Sequence, residues 1–306
     1  MSSTLEQRKQ RLLRFKGAMA AVITPFDRKG ELDVSQIDQY VKFLVDNKVD
    51  GVYIIGTTGE GYNLTNDERL TVAKAWRRAL DSQKADLLAV VNVSSYCAKE
   101  AQLLAKQVDS LGFDAIAVLP ANYYRPANIQ EWVDYLKLFC RSAPNTPLLY
   151  YHIPSMIGEF NFDIVDAIGE GIKQIPQLAA MKFTDNNVVR FTLIQKRYSH
   201  CFKVLIGFDE MLLTALTSLA CDAGICALFN LPEVVDAYKK LVAHVDRSDL
   251  DSARREQSAI VDECVKHKTS GNFFLSIKQT FNSIVKPLGL DFGYPRPPIS
   301  YHYNWL

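Results

Sequence analysis

Lys182 lies inside LAAMKFTD (178–185), a stretch otherwise composed like a buried β-strand. An ammonium group in a core strand is costly unless it is paired or neutralised. One use that justifies it is Schiff-base chemistry. A free lysine has a pKa of about 10.4, so at neutral pH only a minute fraction is nucleophilic. Desolvation favours the neutral amine and raises that fraction. The amine then attacks a ketone, and the resulting iminium is an electron sink that makes a neighbouring C–C bond breakable. The plainer alternative is a lysine held by a buried carboxylate such as Asp209.

The company of Lys182 favours the chemical reading. Alternate side chains of a strand share a face. Ala180, Lys182 and Thr184 therefore share one face, and Met181 and Phe183 the other, which suits a helix layer. The same alternation groups Tyr53, Ile55 and Thr57, then Leu149 with Tyr151, then Leu205, Gly207 and Asp209. Thr57, Tyr151, Lys182 and Asp209 are thus expected to converge from four strands. His152 falls on the opposite face from Tyr151, which predicts a structural role.

The elements that must position these residues recur along the chain. Short apolar runs stand at 20–26, 49–57, 86–94, 113–121, 147–154, 178–184, 203–209 and 222–230, with helical patterns between them. Thr65 and Glu68 form a capping box before one such helix. Strand alternating with helix predicts parallel strands. Eight such units predict an α/β fold of the (β/α)8 TIM-barrel type; an open doubly wound sheet is the alternative. Two further amphipathic helices follow, in RSDLDSARREQSAIVDECVKH and NFFLSIKQTFNSIVKPL. We expect a single domain over 1–306, with the barrel over 17–246 and a C-terminal helical extension over 247–306. Barrel enzymes carry their chemistry at the C-terminal ends of the strands, where Lys182 falls.

The composition narrows the function classes. The 306 residues are 48% hydrophobic and 23% charged with a formal net charge of +1, so nothing recommends a nucleic-acid or membrane-surface partner. The N-terminal segment is polar and basic, has no apolar h-region and shows no clear hydrophobic face. No apolar run reaches transmembrane length. The six cysteines are scattered without CxxC pairs, and buried reduced thiols are expected. A cytoplasmic location follows as the expectation. The histidines show no metal-ligand spacing.

GTTGE (56–60), YHIPSMIG (151–158), MKFTD (181–185), GFDE (207–210) and GYPRPP (293–298) together resemble the N-acetylneuraminate lyase / dihydrodipicolinate synthase family of pyruvate-dependent class I aldolases. The resemblance implies a (β/α)8 barrel, a homotetramer, a lysine Schiff base to a 2-oxo acid, and no metal or organic cofactor. It makes Lys182 the Schiff-base lysine and Tyr151 the proton-shuttling tyrosine. Thr57 and Thr58 match the pair that binds the substrate carboxylate, with Thr57 also relaying protons. Tyr123 is the candidate for a tyrosine acting across a subunit interface, with Tyr124 in reserve. Thr184, Gly207, Asp209 and Glu210 are assigned to substrate binding. Met156 stands where dihydrodipicolinate synthases carry an arginine for a second carboxylate, so the resemblance is closest to N-acetylneuraminate lyase.

The match departs at the eighth strand. Cys226, Ala227, Leu228 and Phe229 replace a hydroxyl-bearing run, and Ala227 stands where a serine helps hold the sugar. The expected function is cleavage of N-acetylneuraminate or a similar 2-oxo sugar acid to pyruvate and an aldehyde, N-acetylmannosamine in the first case. Alternatives are another pyruvate-dependent aldolase, acting on a 2-keto-3-deoxy sugar acid, and a non-catalytic sugar-acid-binding homologue.

Overall fold

The computed structural model describes residues 3–121 and 123–303. Among them eight strands pair in chain order in a closed barrel: β1 (Gly17–Ala21), β2 (Gly51–Ile54), β3 (Leu88–Asn92), β4 (Ala115–Val118), β5 (Leu148–His152), β6 (Leu178–Phe183), β7 (Lys203–Ile206) and β8 (Ala223–Cys226). The pairings are parallel. This is the (β/α)8 barrel expected from the alternation, and closure excludes the open sheet. The strands are nearly all buried, as strands covered on both faces must be.

The chain divides into two compact units. One comprises Met1–Gly17, Leu88–Phe208 and Thr214–Gly224. It contains the ladder from β3 to β7, in which Tyr151 pairs with Lys182 and Lys182 with Leu205. Outward-facing rings lock this ladder to its helices. Tyr150 meets Trp132 of helix Ile129–Ser142 edge-on at 5.0 Å, and Phe183 meets Phe191 of helix Val188–Tyr198 at 5.1 Å. Phe183 therefore faces the helices, and alternation turns Lys182 the other way.

The same unit holds a helix, Leu5–Leu13, that the sequence reading did not anticipate. Its signal was present: Thr4 and Gln7 form a capping box. The helix buries Leu12 and, instead of an apolar stripe, Arg8. Arg8 donates to the Asn145 carbonyl at 3.3 Å, and Arg11 pairs with Asp114 at 2.7 Å. The buried stem of Arg8 supplies packing that the hydrophobic pattern lacked.

The second unit comprises Ala18–Leu87, Asp209–Leu213 and Ile225–Leu306. Here β1 pairs with β2, and the Tyr40 ring packs on Trp76, Phe281 and Phe292 at 5.4, 5.0 and 4.9 Å. The helix Phe273–Val285, which supplies Phe281, follows helices Pro232–Asp246 and Leu250–Thr269. Two strand boundaries differ from expectation. The first apolar run (20–26) is mostly not strand: β1 ends at Ala21. Pro25, with no N–H to give, stands in the segment that leaves the ladder. The last run (222–230) keeps only Ala223–Cys226 as strand. Ala227 turns into the helical region and Leu228–Asn230 form a 3-10 turn. Asn230 holds that turn, donating to the carbonyls of Ala21 at 2.8 Å and Ala227 at 2.7 Å and accepting from the Tyr40 hydroxyl.

Candidate active site

In the first unit the ends of β5 and β6 bring Tyr151 and Lys182 together. The two residues are register partners, and the Lys182 Nζ lies 4.5 Å from the centroid of the Tyr151 ring. Both are buried, at 2% and 6% exposure. The amine of Lys182 thus meets an aromatic face and a phenol at the C-terminal end of the barrel strands, where the sequence placed it.

Thr184 and Gly207 complete this group. The Thr184 Oγ1 is buried and has no hydrogen-bond partner among the described residues. A buried hydroxyl without a partner is costly and invites one from outside. Gly207 lies close beside it. A Cβ there would stand 1.9 Å from the Thr184 Oγ1 and 3.1 Å from the Lys182 Cε. The glycine is therefore required by the close approach of the threonine hydroxyl and the lysine side chain.

On the opposite face, a polar chain braces the strand ends. The His152 Nε2 meets Asp185 Oδ2 at 3.2 Å, and Arg190 meets the same oxygen at 3.4 Å. Arg190 also donates to both oxygens of Glu159 at 3.0 Å. Burial pushes the Asp185 carboxyl upward in pKa, but bonds from His152 and the Asn187 N–H, with Arg190, outweigh it and hold the value at about 2. Asp185 is therefore an acceptor at neutral pH, and Nε2 of His152 is the donor. Past Glu159 the brace reaches the loop bearing Tyr123 and Tyr124, because Arg125 donates to the Glu159 carbonyl at 3.3 Å. The two tyrosines are 80% and 85% exposed, with rings edge-on at 5.0 Å.

In the second unit, GTTGE forms the turn that leaves β2. Ile55 adopts φ +60°, so strand alternation stops before Thr57. The expectation that Thr57 shares the face of Tyr53 by strand parity is therefore corrected: a turn places it. Bonds from Glu60 N to Thr57 O and from Gly61 N to Gly56 O, each 3.0 Å, close the turn. Thr57 and Thr58 stand at its tip, half-buried. A Cβ at Gly56 would stand 2.5 Å from the Tyr53 ring, and one at Gly59 would stand 2.8 Å from the Val22 carbonyl, so both glycines are required by close approach.

Glu60 is the buried anchor of this turn. It accepts from the Lys278 Nζ at 3.1 Å and from the Arg296 N–H at 2.8 Å. Lys278 is also buried, and it donates to the carbonyls of Thr24 at 3.0 Å and Tyr294 at 3.2 Å. Burial pulls the Lys278 pKa down and Glu60 only partly restores it, leaving it at about 8. Arg296, from GYPRPP, reaches back to Glu68 at 2.6 Å. Sequence reasoning quoted both motifs but missed this joint between them. Its signal was the one that singled out Lys182, a lysine among apolar residues in FFLSIKQTF.

Asp209 and Glu210 open a 3-10 turn, Asp209–Met211, so strand parity does not place Asp209 either. The turn is clamped by Gln257, which donates to the Asp209 carbonyl at 3.1 Å and accepts from Leu213 N at 2.7 Å. Asp209 is buried, whereas Glu210 is half-buried and paired with Lys268 of helix Leu250–Thr269. Burial raises the Glu210 pKa, and the bond from Lys268 outweighs it, so the carboxyl lies below its usual range. The sequence reading made Glu210 a bare acceptor and did not foresee its lysine. At the end of β8, Ala227 is half-buried, while Leu228 and Phe229 are fully buried, Phe229 against Tyr238 at 5.1 Å. Leu228 and Phe229 thus belong to the core.

One other polar cluster has the composition of a catalytic triad. His267 meets Ser276 Oγ at 2.8 Å through Nδ1 and Glu263 Oε1 at 3.0 Å through Nε2. The amides just before Ser276 are occupied: Phe274 N and Leu275 N bond the Asn272 side chain, and Ser276 N bonds its carbonyl. Without free amides to form an oxyanion hole, the cluster is a joint between helices. All six cysteines are free thiols. Among the described residues no His, Cys, Asp or Glu cluster gathers as a metal site.

The chain is similar to known aldolases over nearly its whole length. It is 31% identical over 294 residues to the N-acetylneuraminate lyase of Sus scrofa, covering 94% of this chain and 88% of that one. It is 34% identical over 248 residues to N-acetylneuraminate lyase A of Xenopus laevis, covering 81% and 79%. Among solved structures, CdNal of Clostridium difficile in complex with mannosamine superposes with a TM-score of 0.82 at 26% identity, covering 94% of each chain. The N-acetylneuraminate lyase of Proteus mirabilis shares the fold with a TM-score of 0.84 at 23% identity, covering 93% and 92%. The model of the dihydrodipicolinate synthetase family matches residues 14–303, and the chain belongs to that family.

Proposed function

We propose that the protein is a Schiff-base aldolase that cleaves N-acetylneuraminate, or a closely similar 2-oxo sugar acid, to pyruvate and an aldehyde. The observation that carries this reading is the Lys182 amine 4.5 Å from the Tyr151 ring, with Gly207 and a Thr184 hydroxyl that has no hydrogen-bond partner among the described residues close to it. The names of the relatives favour a sialate substrate.

In this reading the Lys182 amine adds to the C2 carbonyl and water leaves, giving the iminium. Tyr151 receives the proton of the C4 hydroxyl as it passes its own, with Thr57 as relay, to solvent or the substrate carboxylate. The C3–C4 bond breaks, its electron pair flows into the iminium as an enamine, and the aldehyde departs. Protonation at C3 and hydrolysis release pyruvate and restore the amine. Thr57 and Thr58 hold the substrate carboxylate, for which a tight turn that carries their hydroxyls at its tip is suited. Asp209 and Glu210 accept from the sugar hydroxyls, and Thr184 donates to the substrate. We place the enzyme in the cytoplasm as a homotetramer, with the exposed Tyr123 reaching a neighbouring subunit.

A second reading is a less hydroxylated 2-oxo acid. It is favoured by Ala227, which offers no hydroxyl, and by Lys268, which occupies Glu210. The test common to both is borohydride reduction with pyruvate, followed by peptide mapping and a pyruvate-release assay on a panel of 2-oxo sugar acids. The expected result is one reduced adduct on Lys182, abolished in Lys182→Arg, because a guanidinium stays protonated. An adduct on another lysine, or none, overturns the reading. Light scattering checks the assembly, and a monomer at assay concentration removes the role of Tyr123.

A further inference from the structure

We propose that Asp185 is a positioning residue for Tyr151, acting through His152. The inference rests on the aldolase reading above and concerns one bond that the reaction scheme does not use. Tyr151 and His152 are consecutive at the end of β5, one facing Lys182 and the other facing the helices. Backbone bonding reaches its limit there, because β5 ends at His152 and Pro154 begins the next turn. The last ladder bond runs from Thr184 N to the His152 carbonyl at 2.8 Å. Beyond it, the side-chain bond from His152 Nε2 to Asp185 ties the tip of β5 to the segment that follows β6.

Asp185 is itself held by two further bonds. Its Oδ1 accepts from the Asn187 N–H at 3.1 Å, its Oδ2 accepts from Arg190 at 3.4 Å, and Arg190 is anchored in turn on Glu159. The His152 ring is further wedged against Phe183, centroids 5.3 Å apart. A carboxylate this well anchored is a fixed reference point for the imidazole, and hence for the backbone of Tyr151. Lys182 keeps its own support in the centre of the sheet, paired on one side with Tyr151 and on the other with Leu205. Loosening the Asp185–His152 bond therefore shifts the phenol more than the amine. Proton transfer depends on phenol placement to a fraction of an ångström, whereas imine formation by Lys182 needs only the amine.

The experiment compares Asp185→Ala, Asp185→Asn, His152→Phe, His152→Gln and the double variant Asp185→Ala/His152→Phe. Three quantities are read: kcat for pyruvate release, KM, and the yield of pyruvate trapped on Lys182 by borohydride. Asp185→Ala and His152→Phe are each expected to lower kcat about 10- to 100-fold with trapping and KM near wild type. Asp185→Asn keeps an acceptor oxygen and His152→Gln keeps an N–H donor, so both should recover most of the loss. The double variant should be no worse than the poorer single variant, because both remove one bond. The inference is overturned if Asp185→Ala turns over within twofold of wild type, if the losses multiply in the double variant, or if trapping falls in step with kcat. Should Asp185→Ala not fold, the His152→Phe and His152→Gln pair reads the same bond from its other end. If wild-type protein traps no pyruvate, the aldolase reading itself fails, and it does so before any variant is compared.

Discussion

Lys182 and Tyr151 are register partners on neighbouring strands, and the lysine nitrogen stands 4.5 Å from the centre of the tyrosine ring. Parallel pairing sets the two residues at the same level of the sheet. Tyr151→Phe keeps the aromatic face and removes only the hydroxyl. It should leave the fold and pyruvate trapping intact and lower kcat by roughly 10²–10⁴, the range for lost general acid–base catalysis. A near-wild-type kcat would move the proton route elsewhere.

Gly207→Ala should crowd the site. Its Cβ would fall 1.9 Å from the Thr184 Oγ1 and 3.1 Å from the Lys182 Cε, too near for either to stay. The folded variant should lose both trapping and turnover, and Gly207→Ala/Thr184→Gly should regain part of the trapping. Full activity in Gly207→Ala would show that substrate does not enter there.

Ala227→Ser distinguishes the two substrate readings. If sialic acid is the substrate, one restored hydrogen bond should lower KM and raise kcat/KM about tenfold, or about 1–1.5 kcal/mol. The amine end of the site should be unaffected, so trapping with pyruvate should not change. If a shorter deoxy sugar acid is the substrate, the same change should help sialic acid little and slow the shorter acid. Steady-state kinetics on both acids read the difference.

The Glu60–Lys278 joint should govern stability near the GTTGE turn. Lys278→Met leaves Glu60 buried without its lysine and should cost about 3–5 kcal/mol in denaturant unfolding. The folded-state pKa of Lys278, about 8, lies below the roughly 10.4 of an unfolded lysine. Between those values the unfolded chain binds the extra proton. The wild type should therefore gain stability relative to Lys278→Met as pH rises from about 8 to about 10. A difference between the two that is flat over that range would mean that Lys278 is not protonated as described.

The Asp185 anchor should show a dependence of the same sign at the acid end of the range. Its folded pKa of about 2 lies below that of a free aspartate, near 3.9. Its contribution is complete above about pH 4 and is lost as pH falls towards 2, because the unfolded chain takes up the proton first. Asp185→Asn should flatten the stability difference in that window, as measured by thermal unfolding at fixed pH steps.

The sequence by itself determined the eight strands, the helices between them and the face on which Lys182 lies, because period-2 alternation and 3.6-residue periodicity are local properties of the chain. LAAMKFT and PLLYYHIP retain their alternation in β6 and β5, so Lys182 and Tyr151 were legible. Legibility ended where the backbone left the strand. Thr57 follows a residue with φ +60°, Asp209 begins a 3-10 turn, and Ala227 already has helical angles. Turn geometry depends on close approaches such as that of Gly59 to the Val22 carbonyl, which strand parity cannot express. Only the tertiary structure decided which buried charge has which partner. Lys182 and Lys278 look alike in sequence, each a lysine among apolar residues. One is placed beside a phenol and the close approach of Gly207 to Thr184, while the other is bonded to the carbonyls of Thr24 and Tyr294 and to the Glu60 carboxylate. Thr24 and Glu60 stand 254 and 218 positions from Lys278 along the chain, so only folding brings them to it and makes its role structural.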